Sequence, residues 1–413
     1  DETEAAVQVR ELLTDAVRLR MRADVPVGSY LSGGLDSSLV SALAAGMVPQ
    51  GLDTFSVTFD SPEHDESAYQ TEMAAVLGTR HHAVACRPGD IAADFPEVIR
   101  FAERPILRTA PAPLFQLSRL VRESGLKVVL TGEGADEVFA GYDIFKEARV
   151  RRFCRRQPQS AMRAHLFRRL YPYLPDLNRQ SAQYLAAFFG VGDASLDDPL
   201  FSHRPRFKTT AAAKLFFSDD LRSLLKGYDA AEEMAGRLPP AFVTWHPLHQ
   251  AQYLESRFLL PGYILSSQGD RMAMSHGVEG RFPFLDHRLV EFAARLPPEM
   301  KLKGLTEKHI LRQAAAGVLP PSISKRAKQP YRAPDSQSFV GTGEPDYVRD
   351  CLAEKSISDG GLFNARAVAK LHAKCRAQPV TGYRDNVAFV GILSTQLWQQ
   401  TFARQGQAID KAA

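Results

Sequence analysis

Residues 30–38 read YLSGGLDSS and lie between two sequence patterns of different period. Strand-like apolar residues precede the stretch, and the run SSLVSALAA that leaves it has the apolar spacing of a helix. A glycine pair between a strand and a helix is typical of loops whose backbone N–H groups bind phosphate at the positive end of the helix. The sequence therefore predicts an α/β unit whose first strand ends in an anion-binding loop.

This loop carries an acid where phosphoryl-transferring loops carry a lysine. A Walker loop ends in Gly-Lys-Ser or Gly-Lys-Thr and moves the terminal phosphoryl group of the nucleotide, but Asp36 occupies that neighbourhood here. A carboxylate repels phosphate unless a metal ion lies between them, so Asp36 indicates Mg²⁺ bound to the β- and γ-phosphates as a unit. The implied reaction releases pyrophosphate and passes the adenylyl group of ATP to an acceptor.

Further strand-like runs alternate with helical patterns before residue 148. The runs are DTFSVTF, HHAVAC and KVVLTG, and the helical patterns include ESAYQTEMAAVLG. This alternation predicts an α/β fold with a doubly wound parallel sheet, to which additional helical regions are attached. Because ligands bind at the carboxyl ends of such strands, the loops SGGLDSS and TGEGADE should meet at one edge of the sheet.

Composition excludes several classes of protein. The 413 residues are 45% hydrophobic and 24% charged, and no apolar run is long enough for a membrane span. A net charge of +4 does not by itself imply nucleic acid. The four cysteines lack CxxC spacing, which argues against a zinc ribbon or a disulfide framework, so we expect a cytoplasmic protein. The first residues read as a helix without a signal-peptide core, and the absence of an initiator methionine suggests a piece of a longer protein.

The chain divides by pattern into four parts. We predict a nucleotide-binding core over residues 1–148, a helical insertion over 149–240, a helical part that completes the active site over 241–335 and a C-terminal helical region over 336–413. Residues 149–169 contain eight arginines. Clustered arginine can bind nucleic acid or a carrier protein, but the sparse aromatic residues favour a solvated helical face or an interdomain surface.

Four blocks of sequence carry a resemblance to a known family. LSGGLDSS resembles the signature of the N-type ATP pyrophosphatases, the PP-loop superfamily of adenine nucleotide α-hydrolase-like folds. TGEGADEVFAGY, GVEGRFPFLDHRLVEFA and EKHILRQAA are similar to blocks in the synthetase half of asparagine synthetase B, and they occur in the family's order. We therefore expect the fold and the adenylation chemistry of that family.

The resemblance implies a nucleotide site. Glycines and hydroxyls of the first loop would hold pyrophosphate and Mg²⁺, apolar strand ends would contact the adenine or ribose, and one glycine of the second loop would lie beside the nucleotide. The residues so implied are Ser32, Gly33, Gly34, Asp36 and Ser37 for pyrophosphate, Leu31 and Val57 for the adenosine, and Gly132 beside the nucleotide.

The resemblance also assigns chemical roles. Asp136 would be a second Mg²⁺ ligand and Glu133 a base at the site where ammonia meets the adenylate. Lys308 would stabilise charge on the α-phosphate and on the departing pyrophosphate, with Glu307 orienting it. For Glu137 we prefer a helix N-terminal charge without a catalytic role. The run SKRAKQPYRAP, at residues 324–334, could close over the phosphates or form a solvated loop.

The function implied is an ATP-dependent amide synthetase. A carboxylate, aspartate by default, would become an acyl-AMP and then react with ammonia to give asparagine. Relatives normally carry an N-terminal glutaminase domain with a nucleophilic cysteine, and this chain has none, so ammonia would come from a domain or subunit outside it. Arg108 and Tyr142 are candidates for the acceptor pocket, and a homodimer is the candidate assembly.

Other functions stay open at this point. The first alternative is an enzyme of a natural-product pathway, which amidates an acid other than aspartate or closes a β-lactam or a lasso peptide. The intact GEG of the second loop favours ammonia over ring closure. The second alternative is a tRNA-modifying PP-loop enzyme, which only the arginine-rich segment supports. A scaffold without catalysis is disfavoured because the acidic and basic residues expected to act are all present.

Overall fold

A parallel sheet of five strands forms the centre of the protein. The computed structural model describes residues 1–61, 64–173, 179–190, 195–341, 343–377 and 382–403. The strands are β1 (Val27–Tyr30), β2 (Asp53–Thr58), β3 (Arg80–Ala85), β4 (Val128–Leu130) and β5 (Glu279–Arg281). Their order across the sheet is β3-β2-β1-β4-β5, and every neighbouring pair is parallel.

Helices lie along both faces of the sheet and account for most of the chain. They are α1 (Glu2–Arg20), α2 (Leu35–Ala45), α3 (Ser67–Leu77), α4 (Pro88–Ala102), α5 (Pro111–Glu123), α6 (Ala135–Val138), α7 (Asp143–Arg155), α8 (Ala161–Ala164), α9 (Ala182–Phe188), α10 (Arg204–Ala211), α11 (Asp219–Leu224), α12 (Ala230–Gly236), α13 (Pro247–Leu254), α14 (Arg271–Met274), α15 (His287–Arg295), α16 (Pro298–Lys301), α17 (His309–Ala314), α18 (Pro321–Ser324), α19 (Asp346–Leu352), α20 (Glu354–Gly360), α21 (Ala365–Ala377) and α22 (Tyr383–Trp398).

Two hydrophobic layers make the sheet doubly wound, as predicted. On one face α1, α2, α15 and α17 bury residues such as Leu13 and Leu39 against Leu130 of β4. On the other face α5 packs Leu117 against Phe55 of β2. Burying each such side chain contributes about 1.5–3 kcal/mol, so the two layers fix the sheet between them.

The C-terminal helices extend the second layer. Phe95 of α4 packs edge-on against Phe339 with ring centroids 4.8 Å apart, and Phe339 in turn contacts Phe389 of α22. All three rings are buried in one apolar cluster. The helices after residue 340 therefore pack on the nucleotide-binding unit. Within the part of the chain that the structure describes, none of the helices has the length and hydropathy to cross a bilayer.

The strand order places a crevice between β1 and β4. The chain runs from β1 outward through β2 to β3, then returns to β4 on the other side of β1. Ligands of open parallel sheets bind outside the carboxyl ends of the strands at such a reversal. The loops after β1 and β4 both open into this crevice, which is the meeting that the sequence predicted.

Candidate active site

The loop after β1 is tightly closed on itself. The Ser32 backbone N–H donates to the Ser37 hydroxyl at 3.1 Å, and the two serine hydroxyls are 2.8 Å apart. Gly33 has φ +73°, and a Cβ there would lie 2.6 Å from Cβ of Tyr69, so only glycine fits. Gly34 then caps α2 in an extended conformation. The loop therefore presents its backbone at the positive end of α2.

The second loop lies directly against the first. A Cβ built on Gly132 would be 2.8 Å from the backbone nitrogen of Ser37, so the two backbones are in close contact there. This contact follows from the pairing of Ser29 in β1 with Leu130 in β4. Gly132, which we expected beside the nucleotide, thus lies against the glycine loop that follows β1.

The two residues expected to contact adenosine differ in exposure. Leu31 is buried in the main apolar layer, and its N–H donates to Phe55 at 2.9 Å. Val57 is half-buried, and its carbonyl accepts from the Gln70 side chain at 2.9 Å. Both residues lie at the carboxyl ends of adjacent strands, but the Val57 side chain is the more accessible to a ligand.

Lys308 joins the two loops. Its Nζ lies 2.5 Å from Oδ2 of Asp36 and 2.7 Å from Oδ1 of Asp136. The residue is only 2% exposed, so it is not a surface lysine. It is the N-cap of α17 and has φ +52°, a left-handed conformation that costs about 1 kcal/mol or more for a residue with a side chain. The three charges that the sequence singled out therefore form one cluster.

A second lysine completes this cluster. Lys328 Nζ lies 2.7 Å from the other oxygen of Asp136. Burial alone would raise the pKa of Asp136, but Lys308 and Lys328 outweigh it and lower that pKa to about 2. Burial would lower the pKa of Lys328, but the charges of Asp136 and Asp36 outweigh this effect and raise that pKa. The two lysines and two aspartates thus form one network of ion pairs.

Gly141 makes room for the cluster. A Cβ at this position would lie 2.1 Å from both Oδ1 of Asp136 and Cε of Lys308. The sequence analysis did not single out this glycine, which stands one residue before Tyr142 in the second block. Its φ is not in the left-handed region, so space alone explains why a side chain cannot stand here.

Glu133 occupies a different environment from its neighbours. It lines a cavity of about 10 Å³ together with Tyr30 and Gln268. Burial, with a contribution from the charges of Glu137 and Asp270, raises the pKa of Glu133 to about 8. Within the described chain its Oε2 atom is buried and accepts no hydrogen bond. The carboxyl group is therefore poised to exchange a proton near neutral pH.

Glu137 and Tyr142 form a pair next to the cluster. The Tyr142 hydroxyl donates to Oε1 of Glu137 at 2.8 Å. Glu137 lies in the first turn of α6 but is 1% exposed, and burial followed by the charge of Asp136 raises its pKa to about 7. We expected Glu137 to be a charged group at the N-terminus of α6, but burial favours its neutral form. Tyr142 contacts Glu137 instead of opening freely to a substrate.

Glu307 was expected to orient Lys308, but its carboxylate binds other residues in the described structure. Its carboxylate bonds Arg312 at 2.6 Å and Lys146 at 3.3 Å, and it accepts the Lys328 backbone N–H at 3.2 Å. Glu307 therefore fixes the backbone on either side of the cluster, since it precedes Lys308 in the chain and holds Lys328 by its main chain.

The basic run lies over the phosphate-binding loop. Arg326 donates to the Gly33 carbonyl at 3.3 Å and to Glu66 at 2.5 Å, and its guanidinium lies 3.8 Å from the centre of the Tyr69 ring. Of the two expectations for this run, closure over the loop fits these contacts better than a solvated loop. The sequence could not distinguish the two because basic residues are common in both.

Arg108 lies away from the charged cluster. Its guanidinium stacks on the ring of Tyr383 at 4.6 Å. Burial raises the pKa of Tyr263, and the charge of Arg108 opposes this rise, so the two side chains are neighbours. Burial also raises the pKa of Tyr331, with contributions from Tyr263 and Glu133. Aromatic side chains thus connect the surroundings of Arg108 to Glu133, a feature that the sequence did not reveal.

Known proteins share extended sequence similarity with this chain. The asparagine synthase family model matches residues 8–400. The chain is 34% identical to amidase chyE of Penicillium rubens over 81% of this chain and 53% of that protein. It is 29% identical to asparagine synthetase 1 of Bacillus subtilis over 91% of this chain and 56% of that protein.

A third relative, asparagine synthetase B of Escherichia coli, is 27% identical over 87% of this chain and 49% of that protein. The chain thus spans about half the length of the curated relatives it matches. The glycine loops, the acidic residues and the two lysines described above all lie within the matched residues. This chain belongs to the asparagine synthase family.

Proposed function

We propose that the protein activates a carboxylate with ATP as an acyl adenylate, releases pyrophosphate and joins the acyl group to ammonia as an amide. The observation that carries this proposal is the Lys308 Nζ between Asp36 and Asp136, at 2.5 and 2.7 Å, beneath the glycine loop. A loop for phosphate, carboxylates for Mg²⁺ and lysines for a leaving group are the parts that adenylyl transfer requires.

The residues present suit a Mg²⁺ ion. Asp36 has one buried oxygen, Oδ1, without a hydrogen-bond partner among the described residues. In the same described set, no group of three or more His, Cys, Asp or Glu side chains is arranged to hold a metal. Mg²⁺ typically takes one or two carboxylates and completes its shell with substrate phosphates and water. Asp36 and Asp136 would hold the ion, which would supply charge neutralisation on the phosphates.

Lys308 and Lys328 share the cationic role in this proposal. Both form an ion pair with Asp136. When phosphate oxygens arrive, each lysine can exchange a carboxylate partner for a phosphate partner without moving far. We assign to the pair the stabilisation of charge on the α-phosphate and on pyrophosphate as it leaves. Ser32, Gly33, Gly34 and Ser37 would hold the leaving pyrophosphate, and Leu31, Val57 and Gly132 would position the adenosine.

Glu133 is the proposed base of the second step. Ammonia attacks the acyl carbon, the bond between that carbon and the AMP oxygen breaks, and one proton leaves the nitrogen. The carboxylate of Glu133 takes this proton, since it lines a cavity of about 10 Å³, which is about the size of one water-sized molecule. A buried site also keeps water from hydrolysing the adenylate.

Aspartate is the default acceptor, and asparagine the product. A second candidate is an acid of a natural-product pathway, because two relatives, from Penicillium rubens and Gibberella zeae, are named amidases and are 34% and 31% identical to this chain. Arg108 and Tyr142 would border the acceptor pocket, with Tyr142 held by Glu137. Ammonia would come from a glutaminase domain or subunit, the assembly would be a homodimer and the location the cytoplasm.

Pyrophosphate release tests the proposal. The purified chain is incubated with ATP, Mg²⁺, ammonium chloride and one carboxylic acid at a time, with aspartate first. Amide and AMP should appear in equal amounts with pyrophosphate for one acid of the panel. Release with a non-aspartate acid alone would select the second candidate, and release of orthophosphate in place of pyrophosphate would rule out adenylation.

Alanine variants of the two lysines test their roles. Lys308→Ala and Lys328→Ala should each reduce turnover by about 10²–10³-fold, the effect of removing one preorganised stabilising group. Lys325→Ala is the matched control, because Lys325 belongs to the same basic run but is exposed. Turnover retained in both lysine variants would contradict the assigned role.

A further inference from the structure

The arginine-rich segment lines a cavity that the proposed reaction does not use. The cavity has a volume of about 830 Å³ and lies between α7, the start of α13 and the turn at residues 302–306. Small-molecule sites typically enclose about 300–1,000 Å³. None of the residues assigned above to the nucleotide, the metal or the acceptor lines it. The cavity is thus a second place in the molecule with the size of a ligand site.

Much of its wall is apolar. Phe145, Val150 and Phe153 of α7 line the cavity together with Leu166, Leu248 and Leu302. Phe153 is 42% exposed, an unusual position for a large aromatic side chain unless something covers it. The wall therefore favours a ligand with an apolar body.

The remaining wall is cationic. Arg149, Arg152, Arg156 and Arg169 line the cavity, and Glu299 is the one acid among its lining residues. In the described part of the chain, none of these four guanidinium groups has a carboxylate within ion-pair distance. Four guanidinium groups against one carboxylate in the lining favour an anion, and the planar donors of arginine match carboxylate and phosphate oxygens.

Hydrogen bonds hold two of these arginines in place. Arg149 donates to the carbonyls of Leu302 at 2.5 Å and Gly304 at 3.3 Å. Arg152 donates to the Leu196 carbonyl at 2.8 Å and stacks on the Phe201 ring at 4.5 Å. Neither interaction neutralises the positive charge. Arg149 and Arg152 are therefore positioned before any ligand arrives, which reduces the entropy lost on binding.

Exposure distinguishes Arg156 and Arg169 from a structural use of arginine, since both side chains are exposed. Arg151, on the opposite side of α7, is 2% exposed and donates to the carbonyls of Phe189 and Phe201, both at 2.8 Å, as a packing residue would. At the cavity, burial lowers the pKa of His246, and the charges of Arg149 and Arg152 contribute although Glu299 opposes them. The charges that act on His246 are thus mixed, and the excess of cations at the cavity rests on the arginines that line it.

We propose that this cavity binds a small amphiphile with an anionic head, a carboxylate or a phosphate, and an apolar body. The head would contact Arg156 and Arg169 at the exposed rim, where both side chains are free to turn toward it. The body would lie along Phe153, Leu166 and Leu302. This site is separate from the ATP site and does not depend on the proposed reaction.

Calorimetry with defined amphiphiles tests the inference. The whole chain is titrated below the critical micelle concentration with decyl phosphate, decanoate, inorganic phosphate and decyltrimethylammonium. We expect one of the two anionic amphiphiles, or both, to bind at one site, and the tighter of the two identifies the head. Inorganic phosphate should bind at least tenfold more weakly. Equal binding of the cationic amphiphile, or no binding of either anionic one, overturns the proposal.

Two sets of variants locate the site. The double variant Arg156→Glu/Arg169→Glu should weaken binding of the anionic amphiphile at least tenfold, and Phe153→Ser should also weaken it. Arg168→Glu is the matched control, since Arg168 is exposed on the same stretch but does not line the cavity. All these positions are exposed, and circular dichroism with urea unfolding reports that each variant is folded. An effect of Arg168→Glu equal to that of the double variant would show that general surface charge explains the binding.

Discussion

Glu133 and Asp136 lie on one loop, yet the protein shifts their pKa values in opposite directions. Burial favours the protonated form of both carboxyl groups. Asp136 also has lysines beside it, and their charges lower its pKa more than burial raises it. The pKa of Glu133 is accordingly about 8 and that of Asp136 about 2. Two carboxyl groups whose pKa values differ in this way can serve different roles, one in proton transfer and one as a permanent charge.

The pH dependence of amide formation follows from Glu133. Its carboxylate form, which can accept a proton, becomes populated only as the pH rises through about 8, so amide formation at a fixed concentration of free ammonia should rise over that range. Glu133→Gln should lower amide formation by about 10²–10⁴-fold and keep adenylate formation, measured as ATP–pyrophosphate exchange. A variant with normal amide formation would contradict the assignment.

The free energy of unfolding should fall as the pH rises, because it depends on Glu133 in the opposite sense to amide formation. The folded pKa of Glu133 exceeds its ordinary value of 4.5, so the protein favours the protonated form. That contribution is complete below pH 4.5 and is lost as the pH rises through about 8. Urea unfolding should therefore show the wild type losing stability relative to Glu133→Gln over this range. A difference in unfolding free energy that does not change with pH would be inconsistent with a buried acid.

Gly141 should tolerate no side chain. Gly141→Ala places a methyl group 2.1 Å from both Asp136 and Lys308, which forces the cluster apart. We expect a loss of about 1–3 kcal/mol in unfolding free energy, as for other overpacked sites, and a large loss of turnover. Gly89→Ala is the control, because a Cβ at Gly89 has no neighbour within 4 Å. Urea unfolding and pyrophosphate release measure the two effects.

At the scale of elements, the segment from Arg326 to Lys328 connects the two glycine loops. Arg326 contacts the first loop through Gly33, and Lys328 contacts the second through Asp136. Glu307 holds the segment from below by accepting the Lys328 N–H. The segment thus acts as a strap across the crevice between β1 and β4.

Removing the strap's first contact should weaken ATP binding. Arg326→Ala loses the donors to Gly33 and leaves the buried Glu66 without its nearest counter-charge, since burial raises the pKa of Glu66 and Arg326 opposes that rise. We expect about tenfold weaker binding of ATP in calorimetry, equivalent to about 1.4 kcal/mol. Lys325→Ala should bind ATP normally, and equal losses in both variants would argue against a specific role for the strap.

The sequence predicted the elements that have a strong local pattern. The strands β1 to β4 and their two glycine loops follow from alternating apolar runs and turn residues. β5, by contrast, consists of Glu279–Arg281, two charged residues around a glycine, and nothing in that pattern predicts a strand. It forms because Lys127 and β4 supply the hydrogen bonds. A partner strand, which no local pattern reveals, decides such an element.

The helix at Glu255–Asp270 also has a feature that its local sequence pattern does not reveal. Its backbone is π-helical, and the Ser267 hydroxyl donates to the Gly262 carbonyl five residues earlier. Pro261 lies inside it, where an α-helix would lose a hydrogen bond. Apolar residues spaced for an α-helix cannot predict the wider winding. The contacts of Glu307 and Lys328 could likewise not be predicted from the sequence, because they join residues that are far apart in the chain.

At the scale of the whole molecule, Arg281 ties the first helix to the last strand. Its guanidinium donates to the carbonyls of Arg20 at 2.6 Å and Arg22 at 2.8 Å, just beyond the end of α1. Asp286 reinforces this contact through an ion pair with Arg20 at 3.0 Å. The block that resembles the family's GVEARVPFLD segment therefore joins the end of α1 to the edge strand β5. The four-part division of the chain stays a prediction.

Loss of this tie should reduce stability more than activity. Arg281→Ala removes two hydrogen bonds from a charged donor, and we expect a loss of about 1–3 kcal/mol in unfolding free energy, measured with urea. Arg295→Ala is the matched control, because Arg295 donates only within its own helix, to the Glu291 carbonyl. A loss in the control as large as that in Arg281→Ala would contradict the interpretation.

The bond between Lys308 and Asp36 spans 272 positions of the chain. During synthesis, the glycine loop leaves the ribosome well before Lys308, which lies 272 residues after Asp36. A nascent chain that ends before Lys308 should therefore have no nucleotide affinity, however well its first strands have folded. ATP binding would then appear only once Lys308 has been made, so the nucleotide would stabilise the completed site and not the folding intermediates that precede it.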